Sequence, residues 1–95
     1  DQLPAVYAYK PIPDNVTDPA LKKHYAGVQA TFWTEHVSDI RYCDYLAFPR
    51  LLAVAESAWS PEEKKDLESL RKRFTADTLL FDLTGRLYGK HYLLK

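Results

Sequence analysis

The 95 residues contain one cysteine, no excess of either charge and no long apolar run. Cys43 has no partner for an internal disulfide, and no CxxC or Cys/His spacing near it indicates a metal site. Thirteen basic residues balance thirteen acidic ones, so no net field would attract nucleic acid or an anionic membrane. No apolar run approaches the length of a membrane span. We therefore expect no metal or other cofactor, no nucleic-acid partner and no membrane partner.

The N-terminal Asp1-Gln2-Leu3-Pro4 has neither the basic region nor the apolar region of a signal peptide, so we expect any secretion signal to lie outside these residues. The composition is 46% apolar, 14% aromatic and 27% charged, which is typical of a folded chain rather than a disordered one. A chain of this length provides one small core at most. The sequence therefore predicts a single domain or a part of one.

Prolines interrupt the first part of the chain around a short aromatic stretch, Val6-Tyr7-Ala8-Tyr9. The sequence here predicts an ordered loop, in one interpretation following a strand. Asp18 before Pro19 is typical of a helix N-cap followed by the first helical residue, and the next glycine is a stop signal. Residues 1–26 are therefore predicted to be a loop and a short helix over about 19–26.

Residues 27–35 are predicted to be a strand, because β-branched and aromatic residues follow a glycine. Successive side chains of a strand point to opposite faces. One face then carries Val28, Ala30 and Phe32. The other carries Gln29, Thr31, Trp33 and Glu35, so it ends in an aromatic ring and a carboxylate that point the same way.

Apolar residues recur at helical spacing over residues 42–59, which predicts a largely buried helix. The repeating positions are Tyr45, Phe48, Leu52, Ala55 and Trp59. Pro49 interrupts this pattern, either as a kink or as the first-turn proline of a helix that begins near Phe48. The sequence does not decide between these two interpretations of Pro49.

A second helix is predicted over residues 60–75, because Ser60-Pro61-Glu62-Glu63 combines an N-cap serine, a first-turn proline and a glutamate that could complete a capping box. The tail, residues 76–95, fits two interpretations. It could form a hairpin about Thr84-Gly85, or it could dock against the rest of the chain.

A strand followed by a buried helix is the repeating unit of an α/β barrel, in which functional residues follow the carboxyl ends of the strands. Trp33 and Glu35 hold such a position. An indole packs against the apolar C–H face of a pyranose, and a carboxylate accepts hydrogen bonds from two adjacent hydroxyls. The residues alone still favour a structural role for the tryptophan, since a Trp at a strand end is more often core than ligand site.

Two long motifs in register resemble the last strand and helix of the family 20 β-N-acetylhexosaminidase barrel. They are Gly27-Val28-Gln29-Ala30-Thr31-Phe32-Trp33-Thr34-Glu35 and Tyr45-Leu46-Ala47-Phe48-Pro49-Arg50-Leu51-Leu52-Ala53-Val54-Ala55-Glu56-Ser57-Ala58-Trp59-Ser60. They follow the patterns G-x-Q-x-x-x-W-T-E and P-R-L-L-A-x-A-E-x-x-W. A weaker similarity, over Tyr7-Ala8-Tyr9-Lys10-Pro11, is to the loop after the seventh strand of that family.

The resemblance implies an α/β fragment, the C-terminal portion of a (β/α)8 TIM barrel. Residues 27–35 would be the last strand, residues 42–59 the last barrel helix, and a further helix would follow. A single strand has two unpaired edges, so we expect the isolated piece to be mostly α-helical with little strand. Its partners would be the rest of the barrel and, through the full-length enzyme, a glycan that ends in N-acetylhexosamine.

The resemblance also implies roles for two residues. Trp33 would form one wall of the pocket around the terminal N-acetylhexosamine, and Glu35 would bind the hydroxyls on carbons 4 and 6. The family is exo-acting and retaining, and the 2-acetamido group of the sugar itself attacks the anomeric carbon. An adjacent Asp-Glu pair on an earlier strand orients that group and supplies the acid. This sequence contains no Asp-Glu dipeptide, so we expect no catalytic residue here and no activity from the chain alone.

The remaining polar residues favour structural interpretations. Arg50 and Glu56 flank a buried stretch and are expected to be paired, and His24 and His91 lack ligand spacing. By resemblance the parent protein would be secreted, periplasmic or lysosomal. The alternative to a hydrolase fragment is a self-contained carbohydrate-binding or interaction module.

Overall fold

The computed structural model describes residues 2–91, and within that range it contains helices and no strand. The α-helices are α1 (Leu3–Ala8), α2 (Pro19–Lys22), α3 (Ile40–Ala47), α4 (Arg50–Trp59) and α5 (Leu67–Thr84). A 3₁₀ turn over Glu62–Lys64 precedes α5. The mostly helical character expected of the isolated piece is confirmed, and the described residues do not themselves form a barrel.

The aromatic stretch near the N-terminus forms the helix α1, so the predicted loop is wrong here. Pro4 lies in the first turn, where its missing N–H costs no hydrogen bond. Leu3 and Tyr7 share one face of α1, and both are buried. Burial of this pair against the rest of the chain stabilises a helix that the prolines and the short aromatic stretch did not predict.

The start of α2 was predicted correctly. The Asp18 carboxylate accepts a hydrogen bond from the Ala20 amide at 2.8 Å, and Pro19 is the first helical residue. The helix ends at Lys22, earlier than the expected residue 26.

The predicted helix over residues 42–59 is two helices that meet at a cis Phe48–Pro49 peptide bond. The Phe48 amide donates the last hydrogen bond of α3, to the Asp44 carbonyl at 2.9 Å. Pro49 has no N–H with which to continue α3, and it stands at the N-cap of α4. Pro49 is therefore neither a kink within one helix nor a first-turn residue.

The helix predicted to start at Ser60 starts at Leu67 instead. The Asp66 carboxylate caps it, accepting from the amides of Glu68 and Ser69 at 2.9 and 3.1 Å. The signal at Ser60 is followed only by the 3₁₀ turn.

The helix α5 continues through residues 76–84 of the predicted tail, and Gly85, whose φ of 69° is left-handed, caps its C-terminus. The hairpin interpretation about Thr84-Gly85 is therefore wrong. The docked interpretation is correct for residues 86–91, because the Gly89 amide donates to the Phe48 carbonyl at 2.9 Å. Residues 92–95 of that tail lie outside the described residues.

The core lies where α1, α4 and α5 meet. Its buried members are Leu3, Tyr7, Ala53, Leu70 and Phe74, with Val6, Leu52 and Leu67 packed against them. The small side chain of a fully buried alanine leaves room for α1 beside α4. This core fixes the position of α4, the helix that faces residues 28–32.

A polar network joins the same three helices. The Arg73 guanidinium donates to both carboxylate oxygens of Glu56 at 2.6 and 2.5 Å, and the Tyr7 hydroxyl donates to the same carboxylate at 3.4 Å. The Asp66 amide donates to the Tyr7 hydroxyl at 2.9 Å. The expected structural pairing of Glu56 is confirmed. The Arg50 guanidinium donates to the Leu46 carbonyl and so is partnered as well.

The core predicts the effect of truncating Leu3, one of its fully buried leucines. We expect Leu3→Ala to lower the free energy of unfolding by about 2–5 kcal/mol, because the lost methyl groups leave a cavity under α1. Urea unfolding of the 95-residue chain measures it. Leu79→Ala is the matched control, since Leu79 is 64% exposed and its truncation should change little. Equal losses in the two variants would contradict this core.

The Glu56 network predicts an acid dependence of stability. Hydrogen bonds from Arg73 lower the pKa of Glu56. The stabilisation is therefore complete above the pKa of an unfolded glutamate, about 4.3, and it is lost as the pH falls through the lower pKa of the folded state. At pH 7 we expect Glu56→Gln to cost about 1–2 kcal/mol.

Urea unfolding at several pH values tests this expectation. The difference between wild type and Glu56→Gln should shrink toward zero in acid, whereas Glu63→Gln, on the exposed 3₁₀ turn, should follow the wild type throughout. A difference that stayed constant with pH would show that the carboxylate charge does not stabilise the fold.

Candidate functional site

Trp33 and Glu35 lie at the end of an extended segment that connects α2 to α3. No helix or strand is assigned between residues 25 and 39. The segment ends in a turn, in which the Val37 amide donates to the Thr34 carbonyl at 3.0 Å. Trp33 and Glu35 therefore lie on either side of Thr34, the residue whose carbonyl accepts the hydrogen bond of this turn.

Both site side chains are exposed. Trp33 has 76% of its surface accessible, and Glu35 is exposed as well. Within residues 2–91 the structure records neither a ring contact for this indole nor a hydrogen bond or ion pair for this carboxylate. An exposed indole and an unpaired carboxylate offer an apolar face and four lone-pair sites to a polar ligand. The described chain brings them together in sequence but does not close a pocket around them.

Side chains of both predicted faces of the segment line clefts beside the helices. Ala30, Thr31 and Phe32 line a cleft of about 650 Å³ with residues of α3 and α4, and Val28 and Gln29 line a second cleft of about 450 Å³ beside α1 and α4. Phe32 is 43% exposed and Trp33 is 76% exposed. The predicted division of faces is therefore not seen in this structure, because residues of both faces line the same clefts.

The backbone of the extended segment has no partner in the described chain. Among residues 2–91 no backbone hydrogen bond is recorded for residues 28–33. Backbone N–H and C=O groups need partners once they are removed from water. A neighbouring strand on each side of the segment would provide such partners.

The connection from the site to α3 is held by a residue that sequence analysis missed. The Asp39 carboxylate accepts from the Tyr42 amide at 3.0 Å, and this hydrogen bond lowers the pKa of Asp39. The cap sets the start of α3 at Ile40, two residues before the predicted start. An aspartate three residues before the apolar pattern is the signal that could have found it.

Neither a metal site nor a membrane-spanning helix is found among the described residues. No group of three or more His, Cys, Asp or Glu side chains there is arranged to hold a metal ion. Within the same residues, no helix combines the length and apolarity needed to cross a bilayer.

Comparison with known proteins finds relatives that are named as hexosaminidases. The chain is 41% identical over 87 residues to a beta-hexosaminidase of Porphyromonas gingivalis, a match that covers 90% of this chain and 11% of that protein. It is 37% identical over 62 residues to a beta-hexosaminidase of Akkermansia muciniphila, covering 59% and 13%. It is 34% identical over 59 residues to a beta-N-acetylhexosaminidase of Cellulomonas fimi, covering 62% and 12%. The chain thus spans about a tenth of the length of these relatives.

The model of one protein family also matches. The match to the catalytic domain of glycosyl hydrolase family 20 runs over residues 1–62, which include Trp33, Glu35, α3 and α4. Because this match covers well over half of the sequence, the chain belongs to glycosyl hydrolase family 20 and corresponds to a part of its catalytic domain.

Proposed function

We propose that this chain forms part of the substrate pocket of a β-N-acetylhexosaminidase, which removes terminal N-acetylhexosamine from glycans. The observation that carries the proposal is the family match across an exposed indole and an unpaired carboxylate at the end of an extended segment. The relatives named above are themselves beta-hexosaminidases. Family, relatives and the chemistry of the exposed side chains agree on a sugar ligand.

Trp33 and Glu35 contact different parts of the sugar. The indole packs on the C–H face of the N-acetylhexosamine at the cleaved end and excludes water from one side of it. The carboxylate accepts hydrogen bonds from the hydroxyls on carbons 4 and 6, and charge-assisted bonds of this kind are stronger than neutral ones. Since these hydroxyls are the outer ones, their recognition selects for the end of a glycan.

The bond-breaking groups lie outside this chain. In the substrate-assisted mechanism the acetamido oxygen of the sugar attacks the anomeric carbon while a carboxylic acid protonates the leaving oxygen. The family supplies that acid from an Asp-Glu pair, which this sequence lacks. The chain therefore binds and orients the sugar.

The same proposal gives the extended segment, residues 27–35, a position in the barrel. Residues 27–35 form the last strand of a (β/α)8 barrel, α3 and α4 follow it in place of one continuous helix, and α5 is the further helix. The neighbouring strands pair with the free backbone of residues 28–33 and bring Trp33 to the carboxyl-terminal end of the barrel, where such enzymes hold their substrates.

The proposal predicts that the 95-residue chain alone is inert. A purified sample should not hydrolyse an aryl N-acetylglucosaminide, because no acid reaches the glycosidic oxygen. In an NMR titration with N-acetylglucosamine, the Trp33 indole and Glu35 amide signals should not move. Turnover would refute the assignment of the chemistry to other residues. Saturable shifts would favour a self-contained carbohydrate-binding module.

In the full-length protein that contains this chain, Glu35→Gln should lower kcat/KM for an aryl N-acetylglucosaminide about tenfold or more, because a charged acceptor of two hydrogen bonds is lost. The same variant should lose much less with 4-deoxy and 6-deoxy substrates, which lack one of the hydroxyls. Trp33→Ala should be impaired with all three substrates.

Glu63→Gln is the matched control, since it removes an exposed carboxylate from the 3₁₀ turn. It should keep wild-type kinetics with each substrate. An equal penalty for Glu35→Gln on the parent and the deoxy substrates would show that its carboxylate does not bind these hydroxyls.

A further inference from the structure

Residues 86–91, here called the C-terminal clasp, lie against α3 and its junction with α4. The Arg86 guanidinium donates from Nη1 to both carboxylate oxygens of Asp44, at 3.1 and 3.3 Å. The Asp44 side chain is 17% exposed and the Arg86 side chain is 52% exposed, so the ion pair is partly shielded from solvent on the Asp44 side. The Gly89 amide donates to the Phe48 carbonyl at 2.9 Å, at the point where α3 ends. The clasp therefore holds α3 through both a side chain and the backbone.

Aromatic packing supports the same contact. The rings of Phe48 and Phe81 are 5.1 Å apart, and those of Phe81 and Tyr88 are 5.3 Å apart. Tyr88 is 8% exposed. Tyr45 and His91 lie together farther along, with the hydroxyl 3.4 Å from Nδ1. These contacts join the end of α5 and the clasp to α3 as one packed unit.

The helix α3 is closely tied to the proposed sugar site. Residues 36–39 alone separate Glu35 from its first residue, and two hydrogen bonds order this connection. One closes the turn from Val37 to Thr34 at 3.0 Å, and the other caps α3 at Asp39 at 3.0 Å. A shift of α3 would therefore move Glu35, and a hydrogen-bonding carboxylate tolerates little displacement.

We infer that the clasp is a positioning element for Glu35, with Arg86 as its principal positioning residue. The inference rests on the proposed function of Glu35 as a ligand of the sugar hydroxyls. The clasp lies beyond residues 1–62, the range of the family match, so this role comes from the contacts of this chain. It gives α5 and the tail a part in substrate recognition, although they contribute no side chain to the pocket.

The kinetic test uses the full-length protein. Arg86→Ala should lower kcat/KM for an aryl N-acetylglucosaminide about tenfold, mainly through a higher KM, because the sugar contact is misplaced while the bond-breaking groups are intact. Arg86→Lys should recover part of the loss, since it keeps a cation beside Asp44. In a Glu35→Gln background, Arg86→Ala should have little further effect, because its target is already removed. Lys72→Ala, on the exposed face of α5, is the control and should match the wild type.

A second measurement does not depend on activity. In the 95-residue chain, Arg86→Ala should shift the NMR amide signals of Val37 and Tyr42, which report the turn and the cap, whereas Lys72→Ala should leave them in place.

An active wild type whose kinetics are unchanged by Arg86→Ala would overturn the positioning role of the clasp and leave the proposed function standing. An inactive wild type with shifted Val37 and Tyr42 signals would overturn the proposed function and leave the clasp standing. If the effects of Arg86→Ala and Glu35→Gln on kcat/KM were fully additive, the positioning role of the clasp would also be overturned.

Discussion

The extended backbone of residues 28–33 makes no backbone–backbone hydrogen bond among the described residues, so this segment needs partners that the helices do not provide. An extended segment with free N–H and C=O groups on both edges is stable in water only while water satisfies those groups. In this chain the segment runs past the helices beside two clefts and makes no backbone hydrogen bond among the described residues. Phe32 lines a cleft beside α3 and α4, and Trp33 is 76% exposed. We propose that neighbouring strands pair with this segment in the full-length protein.

The helical part has the opposite character, because its main contacts are satisfied internally. The core around Leu3 and Leu70 and the Glu56–Arg73 pair fix α1, α4 and α5 against one another. The clasp fixes α3 to the same body. The described residues thus combine a helical part that packs internally with an extended segment that has no backbone partner. In the function that we propose, the helices would position Glu35 and the neighbouring strands of the barrel would orient Trp33.

The sequence was sufficient for the family and for local signals with a single dominant cause. Asp18 before Pro19 is such a signal, and the structure confirms it. The roles of Trp33 and Glu35 stay predictions. Where two signals competed, sequence could not decide. Ser60 and Asp66 are both good caps, and Asp66 prevails because a helix from Leu67 buries Leu70 and Phe74 in the core.

Long-range contacts account for the other differences. The helix α1 depends on burial of Leu3 and Tyr7 against α4, which lies far away in sequence. The docking of the tail depends on Gly89 reaching the Phe48 carbonyl at a break that Pro49 creates. Local propensity carries no information on either contact.

Amide hydrogen exchange of residues 28–33, compared between the 95-residue chain and the full-length protein, shows directly whether neighbouring strands pair with this segment. Our account predicts exchange near the unprotected rate in the chain alone, and strong protection in the full-length protein, where strands on both sides occupy these groups. Protection in the chain alone would contradict it, because the segment would then have found its partners within these 95 residues. Rapid exchange in the full-length protein would contradict it as well, because residues 27–35 would then not be a strand of the barrel.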